Sequence, residues 1–215
     1  VVLVVGTNLD WETEGRDRDS MDLPGGQPEL IRRVCAANGR TVVVVNSGSV
    51  VTSDWAEVAP AVLQTWFGGQ EMADALVDVL VGDDEPSGRL PTTMPHRLED
   101  TPAFLSYPGE NGRVVYSEGL FTGYRWYEAR RLPVAFPFGH GLGYTSFTWG
   151  EPVLGGIPSI SELEAGAGVT VTVPVTNNGE RAGSEVVQCY VAPVYPRLPL
   201  HVVYTHLRAH ESRHD

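Results

Sequence analysis

Residues 10–18 read Asp-Trp-Glu-Thr-Glu-Gly-Arg-Asp-Arg, with four carboxylates and two guanidinium groups in one short stretch. Such groups suit proton transfer. A carboxyl group held in a partly desolvated pocket has its pKa raised toward neutrality, where it can protonate a leaving oxygen. Asp17 and Arg18 are suited to pair with one another or with neighbours and hold the loop. Gly15 is expected where the backbone turns tightly beside Glu14. By composition alone, a charged loop is more often a solvated surface than a site, so position in the fold decides its meaning.

The stretch follows an apolar, β-branched run, Val1–Val5, that ends at Gly6 and reads as a central parallel strand. Leu30, Ile31, Val34 and Cys35 recur at helical spacing, with Pro28 in the first turn and Asn38-Gly39 as the stop. Thr41–Val45 is a second strand, of the kind buried on both faces. Ala61–Trp66 reads as a third strand and Gln70–Val81 as a second helix, closed by Gly82. Strands and helices alternating across short glycine loops predict a doubly wound, mostly parallel α/β sheet, that is, an α/β sandwich. In such a sheet ligands sit beyond the carboxyl ends of the strands, which is where residues 10–18 fall.

Residues 83–150 are rich in aromatic residues, glycines and prolines, and read as long packed loops. Beyond Gly150 the period changes. Val169, Val171, Val173 and Val175 alternate with Thr170, Thr172, Pro174 and Thr176, Asn177-Asn178-Gly179 marks a turn, and Glu185–Val191 reads as another strand. The expected organisation is therefore an α/β domain over 1–150, a truncated all-β segment over 151–193, and a histidine-rich tail over 194–215 that is not part of the domain before it.

A net charge of −12 over 215 residues excludes a phosphate-backbone partner, which needs a surplus of Lys and Arg. No apolar run is long enough to span a membrane. Cys35 and Cys189 read as buried free thiols. No His/Cys/Asp cluster has metal-ligand spacing, so neither a metal nor a cofactor is implied. Gly6 opens no GxGxxG string, which removes a nucleotide-binding reading.

Six segments in order resemble glycoside hydrolase family 3. Glu14-Gly15-Arg16-Asp17-Arg18, followed by Met21-Asp22-Leu23-Pro24-Gly25, is similar to the family's EGxDR and LxLP segment. Trp66-Phe67-Gly68-Gly69-Gln70-Glu71, Leu80–Pro91, Val115–Arg125 and Phe136–Thr145 resemble its later motifs. Residues 173–191 resemble the opening of a fibronectin type III-like domain.

The resemblance implies a retaining β-glucosidase acting on terminal β-linked glucose. An aspartate on an N-terminal barrel attacks the anomeric carbon, and a glutamate from this domain protonates the leaving group and then activates water. By position in the EGxDR string, Glu14 takes the acid/base role, with Glu12 in reserve. The implied partners are a β-glucoside or oligosaccharide substrate and the barrel itself, and the chain without the barrel is expected to be inactive. β-Xylosidase and β-N-acetylglucosaminidase activities occur among relatives, the latter ranked last. A non-catalytic carbohydrate-binding or structural module is the rival reading. Ser53-Asp54-Trp55 repeats the triplet of the family's nucleophile in the wrong place, after the second strand, and is treated as coincidence. Arg16 departs from the aromatic residue usual there. Tyr124, Arg125 and Trp126 are expected to pack, and His140 to serve a structural turn.

Overall fold

The structure is a computed structural model that describes residues 1–191; the tail expected over 194–215 lies outside the described residues. The chain divides into two compact units. Among the described residues, the first contains Val1–Asp84, Gly88–Gly141 and 188–191, and the second contains Glu85–Ser87 and Leu142–Val187.

The first unit is built on a parallel sheet of three strands, β1 (Val2–Gly6), β2 (Val42–Asn46) and β3 (Ala61–Gln64), in the order β1-β2-β3. Val2 pairs with Val42 and Gly6 with Asn46, while Val42 pairs with Ala61 and Val45 with Gln64. Helix α1 (Gln27–Ala37) crosses from β1 to β2, a short 3-10 turn (Asp54–Val58) lies in the crossover to β3, and α2 (Met72–Val81) follows β3. This is the α/β architecture expected from the alternation of element types.

The period of two explains the core. Leu3, Val5, Val43 and Val45 meet Ile31 and Cys35, one turn apart on α1, and Leu23, Val51 and Trp55 complete the cluster. β2 is closed on both faces, since Val43, Val44 and Val45 are all buried. β1 departs from the expected central strand. It bounds the sheet among the described residues, and Val2 and Val4 remain 52% and 60% exposed. Its C-terminal end is closed by Gln27, whose side-chain amide donates to the Gly6 carbonyl (2.9 Å) while its oxygen accepts from the Gly6 amide (2.7 Å).

Two boundaries shift. The third strand ends at Gln64 because Trp66 takes a left-handed backbone (φ 54°), and the second helix starts at Met72 after Gly69, also left-handed (φ 75°). The aromatic stretch holds a helix not foreseen, α3 (Tyr124–Arg130), stopped by Arg131 at φ 54°. Tyr127 is its buried residue, Tyr124 stacks on Phe138 at 5.0 Å, and the Trp126 indole donates to the Asp100 carbonyl (2.9 Å). Arg125 donates to the Thr122 hydroxyl (2.7 Å). His140 sits in a turn whose backbone pairs with Leu90 (2.9 Å), and its ring lies against Phe136, with its pKa lowered by burial and by Arg89.

In the second unit β4 (Phe147–Trp149) pairs antiparallel with β7 (Val175–Asn177), and β5 (Val153–Leu154) with β6 (Val171–Thr172). The single strand expected over 169–176 is therefore broken at Pro174, whose carbonyl still accepts from Gly150 (2.8 Å). A proline cannot donate to the ladder. Helix α4 (Ile160–Glu164) carries a capping box between Ser159 and Glu162. The strand expected over Glu185–Val191 is not formed: these residues make no ladder pairing.

Candidate active site

The three parallel strands end together at Gly6, Asn46 and Gln64, so the loops that follow them rise on one rim. A Cβ added to Gly6 would stand 1.9 Å from the Asn46 carbonyl oxygen, so glycine is what lets β1 leave the sheet beside β2.

The first loop folds locally. Asn8 starts it: its side chain accepts from the Asp10 amide (3.0 Å), and its carbonyl accepts from Trp11 (2.9 Å) and Glu12 (2.8 Å). Thr13 then pairs with Arg16 across a tight turn, which leaves Glu14 and Gly15 at the tip of a hairpin. The Arg16 guanidinium folds back to donate to the Asp10 carbonyl. Gly15 does not adopt a left-handed backbone, and a Cβ on it would meet nothing within 4 Å. The expected steric need for glycine there is not found; the turn geometry is one that other residues adopt.

The two glutamates of the hairpin have different surroundings. Glu14 is exposed at the tip and makes no hydrogen bond or ion pair among the described residues. Glu12 is largely enclosed. One carboxylate oxygen accepts from the Thr7 hydroxyl (2.7 Å) and lies 3.6 Å from Arg18 Nη1. The other oxygen lies against Gly48, where an added Cβ would stand 2.5 Å from it and 2.6 Å from the Phe67 ring. Glu12, Gly48 and Phe67 thus bring the loops after all three strands into contact.

Asp17 and Arg18 pair with neighbours, not with each other. Arg18 donates through Nη1 to the Ser49 hydroxyl (2.6 Å) and the Val50 carbonyl (3.2 Å), and through Nε to the Ser20 carbonyl (3.2 Å). Its Nη2 is enclosed and meets no acceptor among the described residues. Asp17 accepts from the Tyr107 hydroxyl, a bond that raises the Tyr107 pKa. Further along, Asp22 accepts from the Thr52 hydroxyl, and the Thr52 amide donates to the Met21 carbonyl (2.8 Å).

Asp54 follows the other pattern. Its carboxylate pairs with Arg32 of α1 at 2.6 Å, Ser53 and Trp55 on either side are buried, and the Trp55 indole donates to the Thr52 carbonyl (3.1 Å). Thr7, Gly48 and Ser49 were not singled out as site residues from the sequence. The available signal was the glycine-bearing run after β2, since loops beyond strand ends gather at the site of an open α/β sheet. Among the described residues no group of three His, Cys, Asp or Glu side chains is arranged to hold a metal ion, and no helix is long and apolar enough to cross a membrane.

A parallel sheet with helices in its crossovers and a carboxylate-bearing hairpin beyond its strand ends defines an α/β domain. The chain belongs to glycosyl hydrolase family 3, whose C-terminal domain matches residues 1–144. It is 49% identical over 193 residues to a probable beta-glucosidase I of Aspergillus clavatus, covering 90% of this chain and 23% of that protein. It is 51% identical over 196 residues to a beta-glucosidase of Rhizobium radiobacter, again 23% of the relative's length. Among solved structures, the family 3 beta-glucosidase of Bifidobacterium adolescentis matches with a TM-score of 0.83 and 37% identity, over 92% of this chain and 28% of that one. The beta-glucosidase of Kluyveromyces marxianus matches with a TM-score of 0.81 and 43% identity, over 92% and 24%. The chain thus spans about a quarter of the length of these relatives.

Proposed function

We propose that this chain supplies the general acid/base of a retaining β-glucosidase, with Glu14 as the proton donor. The observation that carries the reading is the contrast within one hairpin. Glu12 is already committed to Thr7 and Arg18, whereas Glu14 stands at the tip, exposed beyond the carboxyl end of β1 and without an internal partner. A proton donor must reach a substrate oxygen, and only the second arrangement leaves the carboxyl group able to do so. Glu14 protonates the departing oxygen while a carboxylate outside residues 1–215, on a barrel of the same polypeptide, attacks the anomeric carbon. In the second half-reaction Glu14 takes a proton from water. The names of the relatives support glucose as the sugar transferred, and the uncovered apolar face of β1, at Val2 and Val4, supports further polypeptide packing there, because parallel sheets are normally covered on both faces. Residues 151–193 are assigned to the opening of a fibronectin type III-like domain.

The test is mutation in the full-length polypeptide. Glu14→Gln is expected to lower turnover of glucosides about 10²–10⁴-fold, the range typical of a lost general acid. The loss should be smaller in the first step for aryl glucosides whose leaving group needs little protonation. Added azide should rescue Glu14→Ala and yield a glycosyl azide. Near-normal activity in Glu14→Gln with loss in Glu12→Gln would transfer the role to Glu12. Residues 1–215 alone are expected to bring about no turnover, because the nucleophile of this mechanism belongs to the barrel.

A further inference from the structure

We propose that Arg18 is a positioning residue for this reaction: its guanidinium, anchored to the loop after β2, fixes through Glu12 the hairpin that carries Glu14. The proposal rests on the acid/base reading of Glu14. Three segments meet at the one side chain. Nη1 reaches Ser49 (2.6 Å) and the Val50 carbonyl (3.2 Å) after β2, Nε reaches the Ser20 carbonyl (3.2 Å), and Nη1 lies 3.6 Å from Glu12. Glu12 in turn is held by Thr7, where the chain leaves β1.

Arg18 and Glu12 flank Glu14 on the two arms of the hairpin, and the Thr13–Arg16 pairing links those arms. Among the described residues nothing holds the tip itself. Glu14 makes no bond to the described residues and a Cβ on Gly15 would meet nothing within 4 Å, so the arms determine where the carboxyl group stands. The Arg18 and Glu12 side chains are only 15% and 13% exposed, so their attraction is screened far less than that of a surface pair. The close approach at Gly48 seats Glu12 from the other side, since any side chain there would drive into its carboxylate and into Phe67. Lysine cannot reproduce the arrangement, because a single ammonium cannot direct donors to Ser20 and to Ser49 and Val50 together as a planar fork does. A displacement of about 1 Å in a catalytic group can cost about 10²-fold in rate.

The experiment measures kcat and kcat/KM of the full-length polypeptide for aryl glucosides over a series of leaving-group pKa values. Variants are Arg18→Lys, Arg18→Met, Glu14→Ala, and each Arg18 change combined with Glu14→Ala. Loss of proton-donor alignment predicts that Arg18→Lys lowers turnover about 10–100-fold for poor leaving groups and only a few-fold for very good ones. It also predicts almost no further loss when Arg18→Lys is added to Glu14→Ala, because groups acting as one unit are not additive. A loss equal for all leaving groups, and undiminished in the Glu14→Ala background, would overturn the proposal and leave Arg18 a folding residue. If the Arg18 variants do not fold, Gly48→Ala approaches the same contact from β2. It should give the same leaving-group signature, and a wild-type profile for it would equally overturn the proposal. Should Glu14→Ala itself keep a wild-type profile, the acid/base reading fails. An impaired Glu14→Ala beside a normal Arg18→Lys removes only the positioning role.

Discussion

The loop after β1 and the turn after β2 present similar text, acidic residues next to a tryptophan beyond a strand end, yet they are built for different ends. In the Ser53-Asp54-Trp55 triplet of the turn, Trp55 is buried in the core and its indole is bonded, Ser53 is buried, and the carboxylate of Asp54 is matched to Arg32 on α1. The Ser53 hydroxyl donates to the Val51 carbonyl (3.1 Å), so the polar groups of the triplet find partners within the domain. In the loop, Trp11 is partly exposed, the inner glutamate is committed, and the outer one is not. The two carboxylates differ in what surrounds them: Asp54 has a guanidinium partner, and Glu14 has none among the described residues. The rim hairpin concentrates its bonds in the arms and leaves the tip open; the Ser53-Asp54-Trp55 turn spends its bonds on packing.

The sharpest way to break this contrast is to remove the anchor of the turn. Trp55→Ala should cost about 3–5 kcal/mol, as large aromatic deletions from a core do, read as a fall in the urea midpoint of the transition that includes this domain. A cost below about 1 kcal/mol would mean that the turn is no better anchored than the hairpin tip. A smaller effect should come from the packed aromatic region, which also lies outside the hairpin. The Tyr127 hydroxyl is pushed up to about 12 by burial and by the nearby Asp100 carboxylate. Below about pH 10 the tyrosine is protonated in both folded and unfolded chains. Between that pH and about 12 only the unfolded chain has lost the proton. The native state then binds more protons, and stability falls as pH rises. The loss should be on the order of 2 kcal/mol across the window, and Tyr127→Phe should flatten it. An unchanged alkaline slope in that variant would place the titrating group elsewhere.

Much of this contrast was legible in the sequence. The β-branched runs, the helical spacing of Ile31 and Cys35 and the glycine stops led to the three strands and two helices, because these depend on local pattern alone. The helix at Tyr124–Arg130 was hidden because both ends break the usual signals: it opens on a glycine with positive φ and closes on Arg131 where glycine is customary. The helix Ile160–Glu164 had a readable signal, Ser159 three residues before Glu162, which the strand-like valines downstream overshadowed. Alternation over 185–191 suggested a strand, but a strand exists only with a partner to pair with, and the period of two carries no information about partners. The same limit governs the site. The position of Glu14 followed from its motif, whereas the commitment of Glu12 depends on Thr7, Arg18, Gly48 and Phe67, which come from loops after three different strands. Only the folded sheet brings them together.

The smallest effect is expected where the sequence was most suggestive. Asp54 stands in the triplet that the family uses for its nucleophile, but here its carboxylate and Arg32 are 59% and 40% exposed, at 2.6 Å from one another. A pair so open to water contributes at most about 1 kcal/mol, and less at high salt. Asp54→Asn keeps the shape of the side chain and removes its charge. Its expected cost is therefore about 0.5 kcal/mol or less, and smaller still at roughly 1 M salt, where the screening length falls to about 3 Å. Turnover of glucosides by the full-length polypeptide should stay within about twofold of wild type, because a change of that size in a surface pair does not reach the rim. A nucleophile removed in the same way would instead lower the rate by many orders of magnitude, since the covalent step itself would be lost. A large loss of turnover in Asp54→Asn, with stability intact, would make the turn chemical rather than structural, and the distinction between the two loops would fail at its base.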